Sequence, residues 1–175
     1  RINALKKEKD VVILAHSYVS PEIIEGVADY VGDSYELSKR AIEHPAQTIL
    51  FCAVKFMAET AKILNPHKTV YIPSDLNGCS LADSINKADM ITLKAQYPDH
   101  TFVCYINTTA EVKAYCDVCV TSSNVYDIIT RIPNDNILFL PDKLMGQNVQ
   151  KELTKRGVHK NIQLWDGTCY VHEEY

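Results

Sequence analysis

Six short runs of nearly continuous apolar residues divide the chain. They cover residues 11–15, 48–54, 69–73, 101–107, 136–140 and 161–165. Runs of this kind are typical of strands that are covered on both faces, as in a parallel sheet. Helical spacing of apolar residues occurs between several of these runs, and an alternation of strands and helices predicts an α/β fold.

The ends of three helices are marked by their residues. The Ser20-Pro21 pair predicts an N-cap followed by proline at the first helical position. A second helix is expected over residues 55–64, where Asn65-Pro66 stops it. A third is expected over residues 142–156, ending at Gly157.

The sequence repeats itself weakly at an offset close to half its length. At an offset of 88, residues 49–57 lie over residues 137–145, with five identical residues among the nine. At an offset of 90, Cys79 lies over Cys169. A repeat of this length indicates a duplicated structural unit.

We therefore predict two copies of a four-stranded parallel α-β-α unit related by pseudo-symmetry. The first copy covers residues 1–88 and the second covers residues 89–175. Each copy needs a short second strand, which we place near residues 29–31 and 117–120.

Composition narrows the class of protein. The chain has 175 residues, of which 46% are apolar and 23% are charged, so it can bury a core. No apolar run reaches the roughly 20 residues that cross a bilayer, and the charged opening lacks the apolar core of a secretion signal. We expect a cytoplasmic protein that does not bind membranes.

The charge of the chain argues against a nucleic-acid partner. Its formal net charge is −4, and its lysines are scattered and form no basic stripe. We expect no nucleic-acid partner. Small-molecule substrates are favoured instead.

Six cysteines in a chain without a secretion signal indicate free thiols that pack, bind metal or react. Cys52 and Cys104 lie inside apolar strands and are predicted to be core residues. Cys116 and Cys119 form a CxxC motif, for which dithiol chemistry is the less favoured alternative. Cys79, after a glycine, and Cys169 occupy equivalent loops, which favours metal ligation.

Further candidate residues follow the ends of the predicted strands, where ligands bind in open parallel sheets. They are His16, Tyr18 and Ser34 in the first copy and Tyr105, Asn107, Ser122 and His172 in the second. Each has a structural alternative: a histidine can be a satisfied structural residue, a serine can be a helix N-cap, and a tyrosine can be a packing residue. A helix N-terminus with a free hydroxyl can also hold a carboxylate, and His172 could bind metal or substrate.

Taken together and in order, the motifs resemble quinolinate synthase, the A protein of de novo NAD synthesis. The resemblance extends from about Val11 to Glu173. Its motifs are His16-Ser-Tyr18, Ala28-Asp-Tyr-Val-Gly-Asp-Ser34, Val54-Lys-Phe-Met-Ala-Glu59, Gly78-Cys-Ser-Leu-Ala-Asp83, Tyr105-Ile-Asn107, Phe139-Leu-Pro-Asp-Lys143 and Cys169-Tyr-Val-His172. The family often has Asn where Ser17 lies here.

The resemblance implies an enzyme of three similar α/β units around a [4Fe–4S] cluster. Each unit gives one cysteine, so Cys79 and Cys169 would be cluster ligands and a third cysteine is expected beyond residue 175. The implied reaction condenses iminoaspartate with dihydroxyacetone phosphate to quinolinate, with loss of phosphate and water. The open iron of the cluster would act as a Lewis acid.

Site roles follow from the resemblance residue by residue. His16, Ser34, Ser122 and His172 would hold substrate carboxylates. Tyr18, Tyr105 and Asn107 would face the reacting atoms, with Tyr18 as the preferred acid or base. A further implied partner is an oxidase or dehydrogenase that supplies iminoaspartate.

The chain stops where a third unit of that family would begin. We therefore expect it to be incomplete, to bind no intact cluster alone and to be inactive by itself. Two alternatives stay open. One is a zinc-dependent hydrolase that uses Cys79, Cys169 and His172. The other is a non-catalytic module that binds a dicarboxylate.

Overall fold

The computed structural model describes residues 1–174. Contacts divide the chain into two compact units, Arg1–Gly78 and a second that begins at Cys79. The second unit therefore contains the loop that carries Cys79 as well as the repeat predicted to begin at residue 89.

The first unit alternates helices with strands and forms one parallel sheet. Its strands are β1 (Val11–His16), β2 (Tyr30–Gly32), β3 (Thr48–Cys52) and β4 (Thr69–Tyr71). Its helices are α1 (Ile2–Glu8), α2 (Pro21–Gly26), α3 (Ser34–Glu43) and α4 (Lys55–Leu64). The strand order is β2-β1-β3-β4, and Leu14 of β1 pairs with Tyr30 of β2 and Phe51 of β3.

The second unit has the same strand order, β6-β5-β7-β8, again all parallel. Its strands are β5 (Thr101–Tyr105), β6 (Val118–Val120), β7 (Asn136–Leu140) and β8 (Asn161–Leu164). Its helices are α5 (Lys87–Gln96), α6 (Ala110–Lys113), α7 (Val125–Arg131), α8 (Lys143–Lys155) and α9 (Tyr170–Glu174), with a 3₁₀ turn at Ala82–Ser84. The predicted pair of four-stranded parallel sheets is confirmed.

The strands follow the apolar runs because both faces of each sheet are covered. All residues of β1 except its first and last are buried, and so are all residues of β7 except Asn136. In the second unit, one sheet face packs a cluster around Phe139 and Val103 and the other a cluster around Phe102 and Leu138. A buried run therefore identifies each central strand.

Helix ends also follow the predicted signals. Proline is the first residue of α2, after the N-cap Ser20. Helix α8 ends before Gly157, which has a φ of 71°. The amide of Gly157 donates to Thr154 and that of Val158 donates to Leu153, which is the hydrogen-bond pattern of a Schellman motif.

The helices of residues 1–174 are all too short or too polar to span a bilayer.

Candidate functional site

The carboxyl ends of the second unit's strands border a cavity of about 510 Å³. Its polar lining residues are Tyr105, Ser122, Tyr126, Asp142, Asn148 and His172. Another cavity, of about 530 Å³, includes Asp135 and Asn161 and lies at the strands' amino ends. We assign the site to the first cavity because parallel sheets bind ligands at their carboxyl ends.

Tyr105 is the last residue of β5 and is half-buried at the cavity. Burial is the main reason that the pKa of its hydroxyl is raised, and the negative charge of Asp142 is the next. Cys79 and Cys169 make smaller contributions that also raise this pKa. Tyr105 therefore keeps its proton at neutral pH and is available as a donor.

The two predicted ligand cysteines both belong to the second unit, and both contribute to the raised pKa of Tyr105. Both thiols are half-buried. The backbone N–H of Cys79 donates to the Asp83 carboxylate at 3.2 Å, and the Cys169 carbonyl accepts from Glu173 at 3.1 Å. These bonds hold the backbone at each thiol.

The loops before the two cysteines are built alike. The amide of Lys55, the first residue of α4, donates to the carbonyl of Asn77 at 2.9 Å. The amide of Lys143, the first residue of α8, donates to the carbonyl of Gly167 at 2.9 Å. Since each acceptor comes two residues before a cysteine, the hydrogen bonds support the sequence alignment of Cys79 with Cys169.

Gly167 lets the two cysteine-bearing segments approach each other. A Cβ atom at this position would lie 2.3 Å from the Pro141 carbonyl oxygen and 2.5 Å from the Ser84 hydroxyl. The indole N–H of Trp165 donates to the Ser84 carbonyl at 3.3 Å. The segment after Cys79 is thus packed directly on the segment before Cys169.

His172 is joined to a carboxylate that no sequence motif indicated. Its Nδ1 lies 2.7 Å from Oδ2 of Asp142, whose side chain is fully buried. Asp142 also caps α8 by accepting from the amide of Met145 at 3.0 Å. The sequence offered one signal for Asp142: it comes directly after Pro141, at the start of the predicted helix over residues 142–156.

Ser122 and Asn107 lie in the turns that follow β6 and β5. Ser122 is exposed and lines the cavity. The alternative that Ser122 is a helix N-cap is wrong, because Asn124 is the N-cap of α7. The Asn124 side chain accepts from the amide of Thr121 at 2.7 Å. Asn107 is half-buried and lies outside the described lining of the cavity.

In the first unit, His16 and Tyr18 are in contact at the end of β1. Their rings are 4.1 Å apart, and the Tyr18 amide donates to Nδ1 of His16 at 3.4 Å. Burial lowers the pKa of His16 more than the nearby Asp33 raises it, so the ring is neutral at neutral pH. The Tyr18 hydroxyl accepts from the amide of Val54 at 3.0 Å.

Ser34 is the first residue of α3 and is not its N-cap. Asp33 caps this helix by accepting from the amides of Tyr35 and Glu36 at 2.9 and 2.8 Å. The N-cap alternative for Ser34 is therefore wrong, because a carboxylate immediately before it already occupies the helix end.

The remaining cysteines behave as packing residues or as one thiol cluster. Cys52 and Cys104 are buried, as predicted. The Cys104 thiol is hydrogen bonded to Cys116 and Cys119, and the bond to Cys116 is the main reason that the pKa of Cys104 is raised to about 12. Its bond with Cys104 likewise raises the pKa of Cys119. Dithiol chemistry at the CxxC motif gains no support from the raised pKa of Cys119, because a reactive thiol needs a lowered pKa.

The donors present fit part of the ligand set of an iron–sulfur cluster. Such clusters are held mainly by cysteine thiolates, and Cys79 and Cys169 are two thiols near one phenol. Among residues 1–174, no three His, Cys, Asp or Glu side chains form a group that could hold a metal ion.

Comparison with known proteins gives the family. The family model described as quinolinate synthetase A protein matches residues 1–175. The chain belongs to this family. Quinolinate synthase of Caldicellulosiruptor bescii is 50% identical over 171 residues, which are 98% of this chain and 55% of the relative.

Other members of the quinolinate synthase family match over the same extent. The quinolinate synthase of Clostridium acetobutylicum is 51% identical over 172 residues, 98% of this chain and 55% of the relative. That of Thermus thermophilus is 50% identical over 169 residues, 96% of this chain and 53% of the relative. The chain thus spans about half the length of the curated relatives it matches.

Proposed function

We propose that this chain supplies two of the three α/β units of a quinolinate synthase. The complete enzyme condenses iminoaspartate with dihydroxyacetone phosphate to quinolinate, releasing phosphate and water, in NAD biosynthesis. The observation that carries this proposal is that Cys79 and Cys169 follow equivalently built loops, in which the amide of Lys55 donates to Asn77 and the amide of Lys143 donates to Gly167. Family membership over the whole chain supports the reaction class.

Cys79 and Cys169 are proposed as two of the three protein ligands of a [4Fe–4S] cluster. The third ligand in this proposal is a cysteine from the part of the relatives' length that this chain does not span. When bound, a cluster with an open iron supplies a Lewis acid that polarises a substrate oxygen.

The residues of the second unit bind and orient substrate in this proposal. Ser122 and His172 line the cavity and hold one carboxylate. Tyr105, whose raised pKa keeps it protonated, donates a proton or hydrogen bond to a developing oxyanion. Asn107, in the turn after the same strand, orients the reacting atoms.

The residues of the first unit have a matching role. Ser34, at the first position of α3, holds a second carboxylate through its hydroxyl, because Asp33 already accepts from the amides of Tyr35 and Glu36. His16, kept neutral by burial, contributes a hydrogen bond to the same group. Tyr18 contacts His16 and is the proposed acid or base.

The expected partners are small molecules. Iminoaspartate and dihydroxyacetone phosphate are the substrates, and an oxidase or dehydrogenase supplies the imine. We place the reaction in the cytoplasm, because free thiols are kept reduced there.

The decisive experiment measures iron, labile sulfide and quinolinate formation in the longest natural polypeptide that contains this sequence. Cys79→Ser and Cys169→Ser should each lose most of the cluster and lower quinolinate formation at least about 100-fold. Cys116→Ser is the matched control, because its half-buried thiol lies in the separate cluster with Cys104. It should keep both iron and activity.

The same measurements separate the alternatives. Colourless protein with zinc that is lost in both variants would favour a hydrolase at Cys79, Cys169 and His172. Unchanged dicarboxylate binding in both variants, without metal or turnover, would favour a binding module. Full iron content and activity in Cys79→Ser and Cys169→Ser would overturn the proposal.

A further inference from the structure

Asp142 occupies a position where one buried carboxylate serves two different partners. It comes two residues after the end of β7, following Pro141, and is the N-cap of α8. Its Oδ1 accepts from the amide of Met145 at 3.0 Å, and its Oδ2 lies 2.7 Å from Nδ1 of His172. The Asp142 side chain is fully buried, whereas 41% of the His172 side chain is exposed.

This arrangement determines which nitrogen of His172 carries hydrogen. A carboxylate oxygen only accepts hydrogen bonds, so at 2.7 Å from it Nδ1 must be the donor. The neutral ring then has its lone pair on Nε2. In the protonated ring, the second N–H is at Nε2. In either state Nε2 is the atom left for a ligand of the cavity that His172 lines.

Capping α8 does not by itself require an aspartate at this position. The equivalent residue in the first unit is Val54, which begins α4 without any side-chain cap. Asn or Ser would also cap α8, because only one acceptor atom is needed for the Met145 amide. The second carboxylate oxygen, which binds His172, is what an aspartate adds.

We propose that Asp142 is a positioning residue that fixes the ring orientation and the Nδ1–H tautomer of His172, so that Nε2 meets the substrate carboxylate. Aspartate or carbonyl partners that fix a histidine tautomer are a general device of catalytic and metal sites. The inference deepens the proposed function and rests on it for the identity of the ligand.

Asp142 also faces Tyr105 across the same cavity. It is the largest charged contribution to the raised pKa of Tyr105, after burial. The same carboxylate therefore favours a protonated phenol and an Nδ1–H imidazole, two groups that line one cavity.

The first test is independent of catalysis. Histidine ¹⁵N shifts of the ligand-free polypeptide report the tautomer, and the spectrum of His172→Gln identifies the signal of His172 among the six histidines. Wild type should show hydrogen on Nδ1. Asp142→Asn keeps the cap acceptor but offers an N–H to Nδ1, so it should move the hydrogen to Nε2.

Asp142→Ser provides a second variant, because serine caps a helix but is too short to reach His172. It should release the ring and give a mixture of tautomers. An unchanged Nδ1–H signal in the folded Asn or Ser variant would overturn the proposal. The helix content of both variants, measured by circular dichroism, shows that α8 is retained.

The second test is a double-mutant cycle in quinolinate formation. Asp142→Asn should raise KM for iminoaspartate about tenfold in the wild-type background and less than about twofold in the His172→Gln background. Equal losses in both backgrounds would show that Asp142 acts without His172 and would refute the inference. If no polypeptide containing the chain makes quinolinate but the tautomer switches as expected, only the proposed function fails.

Discussion

Asp29 and Asp117 perform the same task in the two units. The Asp29 amide donates to Ile13 at 2.8 Å, and its carboxylate accepts from the Ile13 amide at 2.9 Å. The Asp117 amide donates to Phe102 at 2.9 Å, and its carboxylate accepts from the Phe102 amide at 2.8 Å. Each aspartate thus joins the first two strands of its sheet by a pair of hydrogen bonds near their amino ends.

The carboxyl ends of the sheets differ. At an offset of 88, the buried Asp142 of the second unit corresponds to Val54 of the first. The Val54 amide donates to the Tyr18 hydroxyl, while the Asp142 carboxylate binds His172. The two units thus have the same interactions at the amino ends of their strands and different side chains at the carboxyl ends, where parallel sheets bind ligands.

The sheet interior shows a third difference. Cys104 and Cys119 are register partners in β5 and β6, as Ala15 and Val31 are in β1 and β2. The second unit therefore has a pair of thiols where the first has two apolar side chains.

The largest effect is expected from Gly167→Ala. The Cβ atom would contact the Pro141 carbonyl oxygen at 2.3 Å and the Ser84 hydroxyl at 2.5 Å, so the backbone must shift. We expect a loss of about 3 kcal/mol in the free energy of unfolding. We also expect loss of iron, because the shift separates the two cysteine-bearing segments. Urea unfolding and iron analysis check the two results.

A substitution at the equivalent position of the first unit, Asn77, is the control for Gly167→Ala. Asn77→Gly changes the equivalent residue and removes one long hydrogen bond, 3.4 Å, from its side chain to Ala53. It should cost less than about 1 kcal/mol. Equal costs at the two positions would mean that the close contacts around Gly167 do not determine the cost of adding a Cβ atom there.

The sheets and their repeat could be predicted from sequence because burial on both faces leaves continuous apolar runs. Helix α8 could be predicted because Gly157 ends it. The short helix α6 (Ala110–Lys113) could not, since four residues carry no periodicity. The N-caps Asp33 and Asn124 were missed because a neighbouring serine offers the same local signal.

Only part of the candidate site could be predicted. Tyr105, Ser122 and His172 were found from their places after strands, and the structure puts all three at one cavity. The role of Asp142 was missed because its partner is 30 residues away in the chain. The packing of the Cys79 segment with the second unit was missed for the same reason, since no local pattern reports a long-range contact.

A moderate effect on the free energy of unfolding is expected from replacing the equivalent aspartates, Asp29 and Asp117. Asp29→Ala leaves the Ile13 amide without its acceptor and should cost about 2 kcal/mol, whereas Asp117→Ala should cost about 1 kcal/mol. The difference arises because Lys6 contacts Asp29 at 2.8 Å, but Lys94 contacts the more exposed Asp117 at 3.4 Å.

Amide hydrogen exchange at Ile13 and Phe102 gives a local readout of these two variants. Each variant should accelerate exchange at its own amide and leave the other unit's amide unchanged. A larger effect of Asp117→Ala than of Asp29→Ala would reverse the proposed ranking of the two amino ends.

The smallest change in stability is expected from Cys104→Ala, which gives β5 the residue that β1 has at the equivalent position, Ala15. This variant should nevertheless give a clear chemical signal. The bond with Cys104 is the main reason that the pKa of Cys119 is raised, so Cys104→Ala should lower it and increase the thiolate fraction at pH 8. Alkylation of Cys119, followed by peptide mass mapping, should accelerate roughly tenfold for each pKa unit regained. In wild type, the rate should keep rising with pH above about 9, the range in which the alkylation rate of an ordinary thiol levels off.

Cys116→Ala is the control and should change the alkylation rate of Cys119 less than about twofold, because Cys116 is not among the groups that shift the pKa of Cys119. Equal rates in wild type and Cys104→Ala would show that exposure alone governs Cys119, and the thiol pair would then be no real difference between the two sheets.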